Sequence, residues 1–141
     1  MIFAGLFIVV LGLSAGCANN VVEANLGQEF SLRIGQAAQI ENEQLVIRFN
    51  DIKGDSRCPR GVQCFWAGEV SCDVTVTYRG SSSDIILTQS GLTEPPAESR
   101  YEDYKFIFSV EPYPEEGKQI STADYRLKMT VKKLPQGPPT K

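Results

Sequence analysis

The chain contains no histidine. That absence removes the side chain that most often serves as general base, as activator of a nucleophile, and as metal ligand. An excess of charge of either sign is also missing. The 14 Lys and Arg and 17 Asp and Glu give a net charge of −3 with both signs interspersed, which leaves no basic footprint for nucleic acid. No apolar run reaches the roughly 18 residues of a membrane-spanning helix, and no segment carries the 3.6-residue periodicity of an amphipathic one. Cysteine is sparse at 4 residues and tryptophan occurs once. What remains, 42% hydrophobic and 22% charged residues over 141 positions, is the composition of one globular domain. With no nucleophile–base pair to name, the expectation is a protein that is not an enzyme and needs no cofactor.

The longest apolar run, IFAGLFIVVLGL at residues 2–13, suits the hydrophobic region of an export signal. Ser14, Ala15, Gly16 and Cys17 follow it. Small residues ahead of a cysteine are what a lipoprotein signal peptidase accepts, and the segment resembles a permissive lipobox with Leu13 one place further from the cysteine than usual. The expectation is a signal peptide over 1–16 and an exported lipoprotein whose Cys17 carries the diacylglycerol and palmitate chains. Each buried methylene contributes about 0.8 kcal/mol, so several chains hold firmly. Ala18 rather than Asp after the cysteine implies, in a diderm host, the outer membrane of the cell envelope. No Lys or Arg precedes the apolar run, whereas export signals normally begin with positive charge; a misassigned start would account for this. An ordinary signal peptide cut near Ala15 or Gly16, or an uncleaved anchor, are the alternatives. Residues 18–27 are small and polar and complete a tether over 17–27.

From residue 28 the chain alternates apolar and polar positions, the mark of half-buried strands. Phe30, Leu32 and Ile34 share one face, as do Leu45, Ile47 and Phe49. Val70, Cys72, Val74, Val76 and Tyr78 form a third set, Phe106, Phe108 and Val110 another, and Tyr125, Leu127, Met129 and Val131 the last. A short strand over 85–87 is expected after a turn at 79–83. Short strands at this spacing, punctuated by Gly, Pro, Ser and Asn, argue for an antiparallel all-β sandwich of Greek-key type over 28–133, with a closed barrel as second choice. Long loops are expected at 53–68, 89–100 and 111–122, and a proline-rich tail at 134–141.

The most distinctive stretch is DSRCPRGVQCFWAGE, residues 55–69. Its Asp-Ser-Arg-Cys-Pro opening, second cysteine and Trp-Ala-Gly resemble a motif of small exported bacterial proteins and lipoproteins without assigned activity. The resemblance extends loosely over 45–78 and to the later Glu111-Pro112-Tyr113-Pro114 and Asp124-Tyr125 pieces. It implies a related β domain and carries no functional residue across.

Outside the cytoplasm thiols oxidise and disulfides persist, so a Cys58–Cys64 disulfide bond is expected, turned by Pro59 and Gly61. Pairing of either cysteine with Cys72 is the competing arrangement. Cys72, in phase with the valines, reads as a buried core thiol. A cysteine-based metal or redox site using Cys58, Cys64 and Cys72 with Asp51 or Asp55 is an alternative whose spacing matches no metal signature. Asp55 and Ser56 are expected to stabilise the turn through backbone hydrogen bonds, and an Asp55 pair with Arg57 or Arg60 to count for little if exposed. Trp66 is expected to pack on the disulfide and close one end of the sandwich. Alternatively it stands exposed with Arg57 and Arg60 as a recognition surface. The acidic cluster Glu98, Glu102 and Asp103 reads as a solvated face. The functional expectation is a membrane-tethered, non-catalytic interaction module that presents the 53–68 loop to an envelope protein or glycan. A purely structural lipoprotein is the rival reading.

Overall fold

The computed structural model describes residues 20–91 and 96–137. The expected signal peptide, Cys17 and the last residues of the tail lie outside the described residues. Among the described residues nine strands run in chain order: β1 (Val21–Ala24), β2 (Glu29–Arg33), β3 (Ala37–Ile40), β4 (Leu45–Asp55), β5 (Glu69–Tyr78), β6 (Ser81–Ser90), β7 (Ala97–Tyr101), β8 (Tyr104–Glu111) and β9 (Arg126–Lys133). They form two sheets, in the orders β1-β3-β4-β5-β6 and β2-β9-β8-β7. All pairings are antiparallel except β1 with β3. The fold is a β-sandwich.

Alternation explains the packing. Leu45, Ile47 and Phe49 on β4, Val70, Cys72, Val74 and Val76 on β5, and Phe106, Phe108, Leu127, Met129 and Val131 across the second sheet are all buried in one core. Successive side chains of a strand point to opposite faces, so Arg48, Thr75 and Lys132 are left outside that core. The thiol of Cys72 lies among these residues and is the free cysteine of the described chain. Burial pushes its pKa up to about 12, helped by the negative charge of Asp73. Native protein at pH 8 should therefore leave Cys72 unlabelled by a thiol reagent and release one reactive thiol on denaturation. Rapid labelling of the native protein would contradict this placement.

Three expectations are corrected. The tether does not extend to residue 27: Val21 to Ala24 are a strand, Ala24 is 4% exposed, and the two adjacent valines suit a sheet. Between β1 and β3 the chain crosses to the other sheet as β2, which is why β1 and β3 can lie side by side in parallel. Second, the turn before β6 is not five residues long. Tyr78 pairs with Ser81, and Arg79 and Gly80 have φ of 49° and 82°. Positive φ at both central positions is the tight two-residue hairpin that follows strand twist, so the serines belong to β6. Third, β7 occupies part of the expected 89–100 loop, as a polar edge strand.

Two features position the candidate site. β4 carries register irregularities between Phe49 and Asp51 and between Ile52 and Gly54; such bulges bend a strand and accompany its passage to Asp55, which meets the second sheet. β1, read backward from Ala24 to Val21, runs alongside Ile40 to Ala37 and hence alongside Leu45 to Arg48. The chain ahead of β1 therefore leaves toward the end of the sandwich where β4 finishes. The amide of Ala37 still donates to the Asn20 carbonyl at 2.8 Å, which fixes that direction.

Candidate functional site

The segment joining β4 to β5 is built from a rigid base and a bare tip. At the base the hairpin continues past the strands: Ser56 N–H donates to the Glu69 carbonyl and Cys58 N–H to the Ala67 carbonyl, both at 2.8 Å. Ser56 Oγ also accepts from the Glu69 amide at 3.1 Å, in line with the expected role of Ser56. Beyond this ladder Cys58 and Cys64 close a disulfide ring. Val62 N–H turns back onto the Pro59 carbonyl, and Gly61 has a φ of 92°. In the chain-entropy account a ring this small is worth about 2 kcal/mol, so its main effect is local stiffness.

Arg57 anchors the base. Its Nε and Nη2 donate to the two carboxylate oxygens of Asp55 at 2.8 and 2.6 Å, and Nη1 and Nη2 donate to the carbonyls of Val110 and Pro112 at 2.8 and 3.0 Å. The residue is 4% exposed. β7 begins at Ala97, opposite Phe108, and Val110 lies two residues further along β8. Arg57 serves its carbonyl, and Gln89 Oε1 accepts from its amide at 2.9 Å. Tyr125 completes the cluster by donating to Asp55 at 3.1 Å. Burial alone would raise the Asp55 pKa, but the hydrogen bonds and charge of Arg57, with the Tyr125 hydroxyl, hold it below the ordinary value. Tyr125 itself is pushed up to about 12 by burial and by the Asp55 charge. The Asp55–Arg57 pair is thus a buried pin between the sheets, and Arg57 does not belong to an exposed contact surface.

Arg60 stays exposed. Its backbone bridges to the loop after β8, donating to the Pro114 carbonyl and accepting from the Glu116 amide at 3.0 Å each. Tyr113 hydrogen-bonds the Cys58 carbonyl at 2.8 Å, and the guanidiniums of Arg57 and Arg60 each lie 5.1 Å from its ring centroid. Gly68 and Gly91 lock the other side. Gly68 has a φ of +67°, and a Cβ there would stand 1.8 Å from the Ser56 carbonyl oxygen; one on Gly91 would stand 2.1 Å from that of Ala67.

Among the described residues the tip has no such partners. Phe65 is fully exposed at 100%, Trp66 is 83% exposed, and Val62, within the disulfide ring, is 41% exposed. The expectation that Trp66 packs on the disulfide is therefore wrong. The ring and its clamps face the protein, and the aromatic pair points away. Sequence reasoning missed Phe65 altogether. Its one signal was position: an aromatic pair directly after the second cysteine, outside every alternating run. Tyr113, Gln89 and Gly91 were also missed, because each acts through a contact far away in the chain.

The three cysteines are not brought together, since Cys72 sits in the core and donates to the Leu87 carbonyl. Among the described residues no group of His, Cys, Asp and Glu is arranged to hold a metal. A shallow polar depression lies at the opposite end, lined by Glu43, Tyr78, Arg79, Asp103, Tyr104 and Lys133. Its polar groups are already paired: Tyr104 donates to Glu43, Lys133 pairs with the same carboxylate, and Tyr78 donates to Asp103 at 2.8 Å. The hydrogen bond from Tyr104, then Lys133, lowers the Glu43 pKa. No protein-family model, curated protein or solved structure matches this chain.

Proposed function

We propose that this protein is a non-catalytic binding module of the bacterial cell envelope, tethered by lipid on Cys17, whose working surface is the tip of the 53–68 loop. The observation that carries the reading is the pairing of opposites in one short loop. Its base is fastened by a buried Arg57–Asp55 pin, a disulfide and two close glycine contacts. Its tip holds the two most exposed large hydrophobic side chains among the described residues, Phe65 and Trp66. Rigid presentation lowers the entropy lost on binding, and aromatic side chains dominate contact energies. A purely structural role gives no reason to leave two aromatics in water.

Arg60, exposed at the foot of the tip, is the polar member of this surface, and Trp66 remains the candidate contact residue. Of the three residues expected to contact a partner, Arg57 is reassigned to holding the loop. A photoreactive amino acid placed at position 65 in living cells should give a discrete adduct, whether protein, glycan or lipid. The same group at Ile86, exposed on the sheet face, should not. Equal yields at the two positions, or none at 65, would overturn the reading.

A further inference from the structure

We infer that the surface met by Phe65 and Trp66 is the bilayer that holds Cys17, so that the tip is a second, interfacial membrane contact and sets the orientation of the domain. The inference rests on the lipid anchor and loop surface proposed above and names their shared partner. Three observations lead to it.

The first is direction. The strand order places the chain ahead of β1 on a path toward the end of the sandwich where β4 gives way to the loop. Cys17 precedes Val21 by four residues, and four extended residues span at most about 14 Å. A lipid on Cys17 therefore holds the edge of the first sheet close to the membrane, with the loop end leading.

The second is exposure. Hot-spot side chains of protein interfaces are ringed by contacts that exclude water. Phe65 and Trp66, next to the disulfide ring, are exposed at 100% and 83%, and Val62 within it at 41%. Uncovered apolar side chains over a polar base fit a soft interface. Tryptophan favours the headgroup level, where its ring is apolar and its N–H stays wet. Exposed Arg60, whose guanidinium lies over the Tyr113 ring at the foot of the tip, is available to lipid phosphates.

The third is magnitude. Two aromatics bind a membrane weakly on their own. On a domain whose first strand begins four residues after the anchor, their insertion is intramolecular, at an effective concentration of about a millimolar that needs little affinity.

Trp66 is the only tryptophan, so emission reports the tip alone. Full-length protein purified from membranes is first weighed intact, then reconstituted into phosphatidylethanolamine–phosphatidylglycerol vesicles containing phosphatidylcholine brominated on its acyl chains. The expected result is an acylated mass, strong quenching by the brominated chains, a blue shift, and several-fold weaker acrylamide quenching than in detergent-free protein lacking the lipid (Cys17→Ser). Phe65→Ser, at a position with no packing role, should lose most of the bromolipid quenching. If the mass is acylated but Trp66 stays open to acrylamide and untouched by brominated chains, insertion is overturned and the anchor stands. Protection from both quenchers, as a protein contact would give, also overturns insertion, as does equal bromolipid quenching in Phe65→Ser. A mass without acyl chains overturns the anchor, and the inference with it.

Discussion

Arg57→Ala is expected to lower the unfolding free energy by about 3–5 kcal/mol, a large fraction of the total for a domain of this size. The replacement removes four hydrogen bonds at once. It also strands a carboxylate whose side chain is only 8% exposed, and leaves the Val110 and Pro112 carbonyls without their donor. Most of the loss comes from that uncompensated charge, so the double variant Arg57→Ala with Asp55→Asn should recover part of it. Arg57→Lys should not rescue fully, because one ammonium cannot reproduce the planar fork that meets both carboxylate oxygens and two carbonyls. Urea midpoints for the variants check all of this; a midpoint for Arg57→Ala within error of the parent would remove the pin from the account.

The same pair predicts an acid limb. The Asp55 pKa lies below its unfolded value because burial, which raises it, is outweighed by Arg57 and Tyr125. A depressed folded pKa gives stability that is fully present above the unfolded value of about 3.9 and is lost as pH falls through the folded one. The parent should lose stability on acidification in that window, and Asp55→Asn should flatten that part of the profile.

Gly68→Ala carries the second large effect. A side chain at a φ of +67° is strained, and its Cβ would overlap the Ser56 carbonyl that lies across the hairpin. Together these should cost about 2–4 kcal/mol and loosen the base of the loop. Gly91→Ala meets the Ala67 carbonyl and should behave alike. Gly54→Ala, where nothing lies within 4 Å, should change stability by no more than about 0.5 kcal/mol. Thermal or urea unfolding of the three variants separates them; a Gly54 variant as damaged as Gly68 would mean that backbone freedom, not close approach, is what matters at these positions.

How much of this was legible in the sequence follows from the range of each signal. Strands with one face in the core announce themselves by alternation, which is why β2, β4, β5, β8 and β9 were readable and the sandwich with them. β3 hides because Ala37 and Ala38 are both buried, which erases the period of two. β7 hides because an edge strand with few buried positions has little apolar signal to show. β1 was disguised as a tether by its small and polar neighbours, and only its place beside β3 makes it a strand. Within the loop, the disulfide could be anticipated from two nearby cysteines together with the expectation of export. The fates of Arg57 and Trp66 could not, since both depend on what the second sheet brings to the loop. Val110 and Pro112 offer carbonyls to the guanidinium and Tyr125 holds its partner Asp55, and among the described residues nothing arrives to cover the indole.

The parallel pairing of β1 with β3 also decides how the domain resists being pulled. A load applied to the chain ahead of Asn20 acts along the strand axis. It meets the β1–β3 ladder, which runs from Val21 opposite Ala37 to Ala24 opposite Ile40, and the flanking bonds at Asn20 and Glu41, in shear. These bonds must yield together, whereas a strand peeled from its end yields one bond at a time. A load on the N-terminal chain is thus spread over the whole of a short strand, and the β1 edge of the first sheet is mechanically protected along that direction.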